Sequence, residues 1–185
     1  MAQPMNQSIT LETNLDQASR QLRAAVERLF KRSLFIRHVD AGSCDGCESE
    51  IRQLTSPYYD LHRLGIFFAT SPRHADLLLV TGPVTRAMEA PLLRTYEAMP
   101  DPRLVVAVGA CACHGGVYGR SGLTRGGLEG LLPVDVFIPG CPPTPFALIQ
   151  GLLLALGRID QKLHEGRATQ PSRAGAISGE PEVAG

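Results

Sequence analysis

The sequence has no excess of either charge sign. Its 185 residues contain 18 lysines and arginines against 18 aspartates and glutamates, so the formal net charge is zero. Proteins that bind nucleic acids need a basic excess to neutralise the phosphates. The balance of charges therefore argues against a nucleic-acid partner.

Long apolar runs are also absent. A membrane-spanning helix needs about 18–20 consecutive apolar residues, whereas the most apolar segment, "FALIQGLLLAL" at 146–156, is shorter and contains Gln150. The first residues, "MAQPMNQSITLETNLDQ", lack the basic and then apolar pattern of a secretory signal. We therefore expect a cytoplasmic protein whose thiols stay reduced.

A chain of this length usually forms one domain. Residues 1–13 are polar and are expected to be a flexible N-terminus, and residues 166–185, with almost nothing to bury, a disordered tail. Apolar residues at spacings of three and four from Leu15 to Leu29 predict an amphipathic helix over 14–32. Its other face is basic. Either the helix simply lies on its own domain, or its basic face contacts a partner subunit or an anionic membrane surface.

The remaining chain alternates between two kinds of segment. Four short apolar segments predict strands: "LFIRHV" (34–39), "DLLLVTG" (76–82), "RLVVAVG" (103–109) and "VDVFIPG" (134–140). Helical stretches lie between or after them, at 47–56, 87–99 and 145–163. The pattern predicts an α/β fold, an open parallel sheet with helices on both faces.

All five cysteines follow predicted strands. Cys44 and Cys47 follow the first strand, Cys111 and Cys113 the third, and Cys141 the fourth. In open parallel sheets, ligands bind at the carboxyl edge, between the strand-to-helix loops. The sequence therefore predicts that the thiols meet at one edge of the sheet. Glycine shortly precedes Cys44, Cys111 and Cys141, in "GSC", "GAC" and "GC", and there it lets the backbone approach a bulky group.

Three kinds of thiol site remain open. A thioredoxin-like disulfide would use Cys44 and Cys47 and leave three cysteines unexplained. A structural zinc site usually takes two pairs of cysteines that are close in the sequence. This chain offers one such pair, Cys44 and Cys47, whereas Cys111 and Cys141 are far apart. A 4Fe–4S cubane accepts widely separated thiolates and is the best match, and prolines follow Cys141 as in ferredoxin-type runs.

Other polar residues near the cysteines do not form a catalytic set. Glu48 and Glu50 either place charge near the metal site or favour the first turn of the following helix through its dipole. His114 is expected to be a loop residue near an interface, and the other interpretation is a hydrogen-bond donor to the ligands of the metal site. The glycines of "HGGVYGRSG" (114–122) do not make a dinucleotide-binding fingerprint.

Four blocks together carry a resemblance to a known family: "CDGCESEI", "TGPVTRAM", "GACACHGG" and "IPGCPPTPFALIQGLLLAL". In this order they resemble the small-subunit family of nickel–iron hydrogenases, related to the proximal-cluster subunit of complex I. The first two cysteines are adjacent in the complex I branch but are separated here by Asp45 and Gly46. The chain therefore resembles the short small subunit of membrane-bound, energy-converting hydrogenases of the formate hydrogenlyase type.

The resemblance implies a flavodoxin-like iron–sulfur domain over 33–165 that holds one proximal 4Fe–4S cluster. The implied ligands are Cys44, Cys47, Cys111 and Cys141. Cys111 is preferred to Cys113 because it matches the family's ligand position and repeats the form of Gly42-Ser43-Cys44. Cys113 is then a small, semi-buried free thiol.

The resemblance also implies partners. The chain would not be catalytic alone. It would relay electrons between a nickel–iron large subunit and a ferredoxin-like subunit, and would sit on the cytoplasmic side of the inner membrane through membrane subunits of the complex. Two alternatives stay open: the equivalent subunit of a complex I-like, quinone-reducing complex, and a structural metal-binding interaction module.

Overall fold

The computed structural model describes the backbone of residues 5–169 and the side chains of residues 14–158, 161 and 162. This part of the chain forms five α-helices, two short 3₁₀ helices (Leu61–Leu64 and Pro72–His74) and five strands. The α-helices are α1 (Met5–Phe30), α2 (Gly46–Gln53), α3 (Arg86–Glu97), α4 (Gly109–His114) and α5 (Pro145–Thr169). The strands are β1 (Leu34–Asp40), β2 (Ile66–Phe68), β3 (Leu77–Thr81), β4 (Leu104–Val108) and β5 (Val136–Ile138).

The strands make one fully parallel sheet in the order β2-β1-β3-β4-β5. This is the order of the flavodoxin-like folds, in which the direction of winding changes between β1 and β3. The predicted α/β class, with an open parallel sheet, is confirmed. All four expected strands are present, and β2 is an additional three-residue edge strand.

The sheet is buried on both faces. Every residue of β3 and β4 is buried, and successive side chains belong to different cores. Leu77 and Leu79 pack with α1, α2 and α5 on one face, while Leu78 and Val80 pack with α3 and α4 on the other. Successive side chains of a strand point to opposite faces, so a continuous apolar run can fill two cores.

The ends of the chain differ in part from the expectation. Residues 5–13 belong to α1, so they extend the helix expected over 14–32; they contain neither glycine nor proline to interrupt it. Residues 166–169 belong to α5. The rest of the expected flexible N-terminus and tail, residues 1–4 and 170–185, lies outside the described residues.

None of the helices in the described part of the chain has both the length and the apolar character of a membrane span. Helix α5 instead packs its apolar side chains into the core beside α1, among them Leu148, Leu152 and Leu156. Near its end, Lys162 binds Asp135 at 2.7 Å. Since Asp135 directly precedes β5, α5 runs back from the carboxyl edge of the sheet to its amino edge.

Candidate metal centre

The structure brings all five cysteines to the carboxyl edge of the sheet. Cys44 lies in the turn after β1, Cys47 in the first turn of α2, Cys111 and Cys113 in α4, and Cys141 just after β5. All five are free thiols. Cys44 and Cys141 are exposed, Cys47 is buried, and the two cysteines of α4 are half-buried.

Four of the thiols interact with one another. Burial, together with the nearby Glu48, Cys111, Cys44 and Cys141, raises the pKa of Cys47 to about 12. Burial also raises the pKa of the Cys111 thiol, and the nearby Cys141 and Cys44 raise it as well. Three loops that are distant in the sequence therefore present thiols to one another at one place.

The turn that carries Cys44 is ordered by the last residue of β1. The Asp40 carboxylate accepts hydrogen bonds from the backbone N–H of Gly42 at 2.8 Å and of Ser43 at 2.7 Å. These bonds lower the pKa of Asp40 against the opposing effect of its burial. The short turn leads directly from the strand end into Cys44 and α2.

Two glycines allow backbone to approach the sulfurs closely. A Cβ on Gly109 would stand 2.6 Å from Cys47 Sγ, and a Cβ on Gly116 would stand 2.8 Å from Cys111 Sγ. Both glycines have positive φ, 83° and 53°. The Ala110 N–H also donates to the Gly140 carbonyl at 2.7 Å, which ties the start of α4 to the loop of Cys141.

Cys113 interacts with Cys111, but its sulfur makes its closest contacts with backbone carbonyls. Its sulfur lies 3.8 Å from the Ala107 carbonyl and 3.7 Å from the Ile138 carbonyl, and so faces the ends of β4 and β5. Burial raises the pKa of the Cys113 thiol, its contact with Ile138 lowers it, and the nearby Cys111 raises it. The donor set that remains is four thiols without an imidazole or carboxylate, which suits an iron–sulfur cluster or a structural zinc ion.

A single-ion arrangement is not present in the described residues. No group of three or more Cys, His, Asp or Glu side chains there is close enough to hold one metal ion.

Glu48 lies beside Cys47 and is buried. Its carboxylate accepts a hydrogen bond from the hydroxyl of Thr81 at the end of β3. His38 of β1 shares a hydrogen bond of 3.0 Å with the same hydroxyl and stands 3.7 Å from the carboxylate. Glu48 thus lies in the first turn of α2, as one of the two sequence interpretations requires, and it adjoins Cys47.

Sequence reasoning missed Thr81 and His38. Both are polar residues within strands that otherwise read as apolar, "LFIRHV" and "DLLLVTG", and that contrast was the available signal. Glu50 is half-buried on α2, and His114 is the exposed last residue of α4. The sequence had placed His114 in a loop, because the six residues of α4 are too few to show a helical period.

The glycine-rich loop after α4 closes one side of the site. Its residues 123–126 pair with 84–86: Arg125 N–H donates to Val84 at 2.7 Å, and Val84 N–H donates to Gly126 at 2.9 Å. Arg125 also forms a 2.7 Å ion pair with Glu89 of α3. The Val117 N–H lies near Cys111 and lowers the pKa of its thiol against the larger effect of burial.

The same loop exposes three large apolar side chains, which we call the loop patch. Val117 is 92% exposed, Leu123 80% and Tyr118 55%. Exposed apolar side chains grouped beside a functional site are typical of a protein interface. The loop patch belongs to the loop that follows Cys111.

The comparisons with known proteins cover most of the chain. It is 44% identical over 156 residues to "Formate hydrogenlyase subunit 7" of Escherichia coli, which is 84% of this chain and 61% of that protein. It is 48% identical over 128 residues to "Probable membrane-bound hydrogenase subunit mbhJ" of Pyrococcus furiosus, 69% of this chain and 77% of that one. The chain therefore spans less than two thirds of the Escherichia coli relative.

A solved structure agrees with these relatives. The fold matches a chain of an archaeal respiratory membrane complex, the membrane-bound sulfane sulfur reductase, with a TM-score of 0.62 and 39% identity. The match covers 71% of this chain and 72% of that one. The resemblance expected from the four sequence blocks is confirmed.

The family described as "NADH ubiquinone oxidoreductase, 20 Kd subunit" matches residues 44–155, which begin at the first cysteine of the site and end within α5. This range contains all five cysteines and the carboxyl ends of β3, β4 and β5. The chain belongs to this oxidoreductase family.

Proposed function

We propose that this chain is the electron-transfer small subunit of a membrane-associated hydrogenase complex. Cys44, Cys47, Cys111 and Cys141 would hold one 4Fe–4S cluster. The observation that supports this most strongly is the convergence of these four thiols, from three separate loops, at the carboxyl edge of the sheet.

The donor set and its surroundings fit such a cluster. A 4Fe–4S cluster needs four thiolates and supplies one-electron transfer. Gly109 and Gly116 leave backbone close to two of the sulfurs, and the Val117 N–H lies near Cys111. Hydrogen bonds to ligand sulfur are one means by which proteins set the potential of such a centre.

The chain would pass electrons between a nickel–iron large subunit and a ferredoxin-like subunit, and would not be catalytic alone. Cys44 and Cys141 are exposed, and the loop patch lies beside Cys111. A partner seated on this edge would cover the thiols and bring its own redox centre near them. The membrane subunits of the complex would hold the chain on the cytoplasmic side of the inner membrane.

One alternative keeps the cluster and changes the reaction. The solved structure that the fold matches comes from a sulfane sulfur reductase. The large subunit of the present chain's complex could likewise pass electrons to an acceptor other than protons, such as a quinone in a complex I-like assembly. The remaining alternative is a structural metal-binding module. Stoichiometric zinc in the purified chain would favour it.

Purification of the tagged chain with its partners, without oxygen, tests the proposal. We expect a nickel-containing large subunit to co-purify and the complex to evolve hydrogen from a reduced dye, whereas the chain alone evolves none. Hydrogen evolution by the isolated chain would contradict the assigned role. A complex that lacks nickel but reduces a quinone would favour the alternative.

A further inference from the structure

A second concave site lies at the opposite, amino edge of the sheet. It is a cavity of about 550 Å³ between the end of α1, the turn before β1 and the short 3₁₀ turn Leu61–Leu64 before β2. Its floor includes Leu64 and Phe67. Its charged lining is Arg23, Glu27, Lys31, Arg32, His62 and Arg63.

The charges in this basic pocket are strongly unequal. The lining has four permanent cations and one histidine with a single carboxylate, Glu27, and one of the cations, Arg32, is paired with Asp76 outside the lining. Among the described residues, no hydrogen bond or ion pair involves the side-chain nitrogens of Arg23, Lys31 or Arg63. Like charges gathered in one concavity repel one another, so the arrangement calls for an anionic occupant.

Arg32 is already held in position. Its guanidinium binds the Asp76 carboxylate at 2.5 and 3.1 Å, while the Arg32 side chain stays 52% exposed. Asp76 is almost fully buried and also accepts from the Phe35 N–H at 3.0 Å. The pocket therefore has one cation fixed by the fold and three that are free to close on a ligand.

The dipole of α1 accounts for only part of this charge. Basic side chains at the C-terminal end of a helix offset its negative end, which accounts for Lys31 and Arg32, the two residues that directly follow α1. Arg23, however, lies about two turns before the end of α1, and His62 and Arg63 come from a different segment. Cations from three segments converge on the same cavity.

We propose that the basic pocket binds the phosphate of an anionic phospholipid head group and sets the amino edge of the sheet against the membrane surface. The membrane location rests on the proposed function, but the pocket's chemistry does not depend on the cluster. The seven residues of β1 separate the two edges by about 23 Å. A lipid here would therefore not compete with a partner at the cysteines.

A lipid surface suits the chain better than an isolated anion. The pocket opens beside an amphipathic helix whose exposed residues include Arg20 and Arg23, and basic clusters on such helices are attracted to anionic membranes by about 1 kcal/mol for each lysine or arginine. The described residues contain no spanning helix. Peripheral attachment through head groups gives the chain a contact of its own with the membrane.

Vesicle flotation tests the proposal with the full chain, purified without oxygen and with its iron counted. Vesicles of phosphatidylcholine alone are compared with vesicles that also contain phosphatidylglycerol. We expect the wild type to float only with the anionic vesicles. The double variant Lys31→Gln/Arg63→Gln should bind roughly thirtyfold more weakly, which corresponds to about 2 kcal/mol.

The matched control removes the same charge elsewhere. Arg86→Gln/Arg94→Gln changes two exposed arginines of α3, on the other face of the sheet, and should retain wild-type binding. The proposal is overturned if the wild type does not bind, binds both vesicles equally, or loses as much affinity in the control as in the pocket variant.

Inorganic phosphate separates a lipid from a soluble anion. Phosphate could raise the unfolding temperature of the wild type but not of the pocket variant, while the wild type does not bind anionic vesicles. In that case the occupant is a soluble anion and the lipid proposal is wrong. Iron content is read on the same samples. Failure of vesicle binding with full iron content thus leaves the cluster assignment untouched.

Discussion

Gly109 lies against the sulfur of Cys47, so closely that a Cβ added to Gly109 would stand 2.6 Å from it. Gly109 opens α4, which carries Cys111, and Cys47 sits in the first turn of α2. The missing side chain is what lets the backbones that carry two of the proposed ligands meet. A glycine is also favoured here by its φ of 83°.

Gly109→Ala should therefore displace Cys47 and lower the iron content of the chain substantially. The left-handed backbone adds a penalty of roughly 1–2 kcal/mol to folding, and the overlap with sulfur adds to it. The matched control is Gly122→Ala, because a Cβ on Gly122 meets nothing within 4 Å. Iron and sulfide counts and thermal unfolding of both variants provide the measurement.

Equal iron content in Gly109→Ala and Gly122→Ala would show that the approach of Gly109 to Cys47 has no part in holding the metal. Loss of iron in both would point instead to a general loss of folding.

Cys111→Ser and Cys113→Ser should behave differently although the two cysteines share one short helix. The Cys113 sulfur faces the carbonyls of Ala107 and Ile138, whereas Cys111 interacts with Cys141 and Cys44. We expect Cys111→Ser to lose or convert the cluster and Cys113→Ser to keep about four irons. Anaerobic iron counts and electron paramagnetic resonance decide between them, and the reverse outcome would refute the ligand set.

Tyr118→Ala should weaken assembly with the large subunit that we propose as a partner. Tyr118 is 55% exposed in the loop patch, and aromatic anchors at interface centres contribute about 2 kcal/mol, or roughly thirtyfold in affinity. Tyr58→Ala is the control, since Tyr58 is equally exposed, at 59%, but follows α2 outside the loop patch. Pull-down of the partner by each tagged variant, at matched iron content, gives the comparison. Equal recovery would place the interface elsewhere.

His38 should make the protein sensitive to mild acid. Burial lowers the pKa of His38 below the ordinary value near 6.5, and Arg37 lowers it as well. Glu48 and Asp40 raise the pKa but do not offset the effect of burial. The unfolded chain thus binds a proton more readily than the folded one, so His38's contribution to stability is complete above pH 6.5 and is lost as the pH falls through the folded-state value.

The His38→Gln variant should consequently lose less stability than the wild type on moving from pH 7 to more acid buffers. Denaturant midpoints at a series of pH values measure the difference. Parallel decline of both proteins would show that protonation of His38 does not contribute.

Strong, continuous patterns in the sequence predicted the fold well. The runs around Leu77–Thr81 and Leu104–Val108 are apolar throughout because both faces of those strands are buried, and the helix and strand order then predicts a parallel sheet. The position of the cysteines after the strands predicted their meeting at one edge. That inference needed only the rule that parallel strands end on the same side.

Short elements were beyond the reach of periodicity. Strand β2 has three residues and lies at the edge of the sheet, and α4 has six residues that open on a glycine. Neither is long enough to show a period. The partnership of Glu48 with Thr81 and His38 joins three elements distant in the chain, so only the folded structure brings it out. The orientation of Cys113 depends on the α4 helix in the same way.

Metal and sulfide analysis of the chain purified without oxygen tests the central claim most directly. The account predicts about four iron and four acid-labile sulfide per chain, without stoichiometric zinc, because four thiols converge on one site at the carboxyl edge. One zinc per chain with no acid-labile sulfide would contradict it.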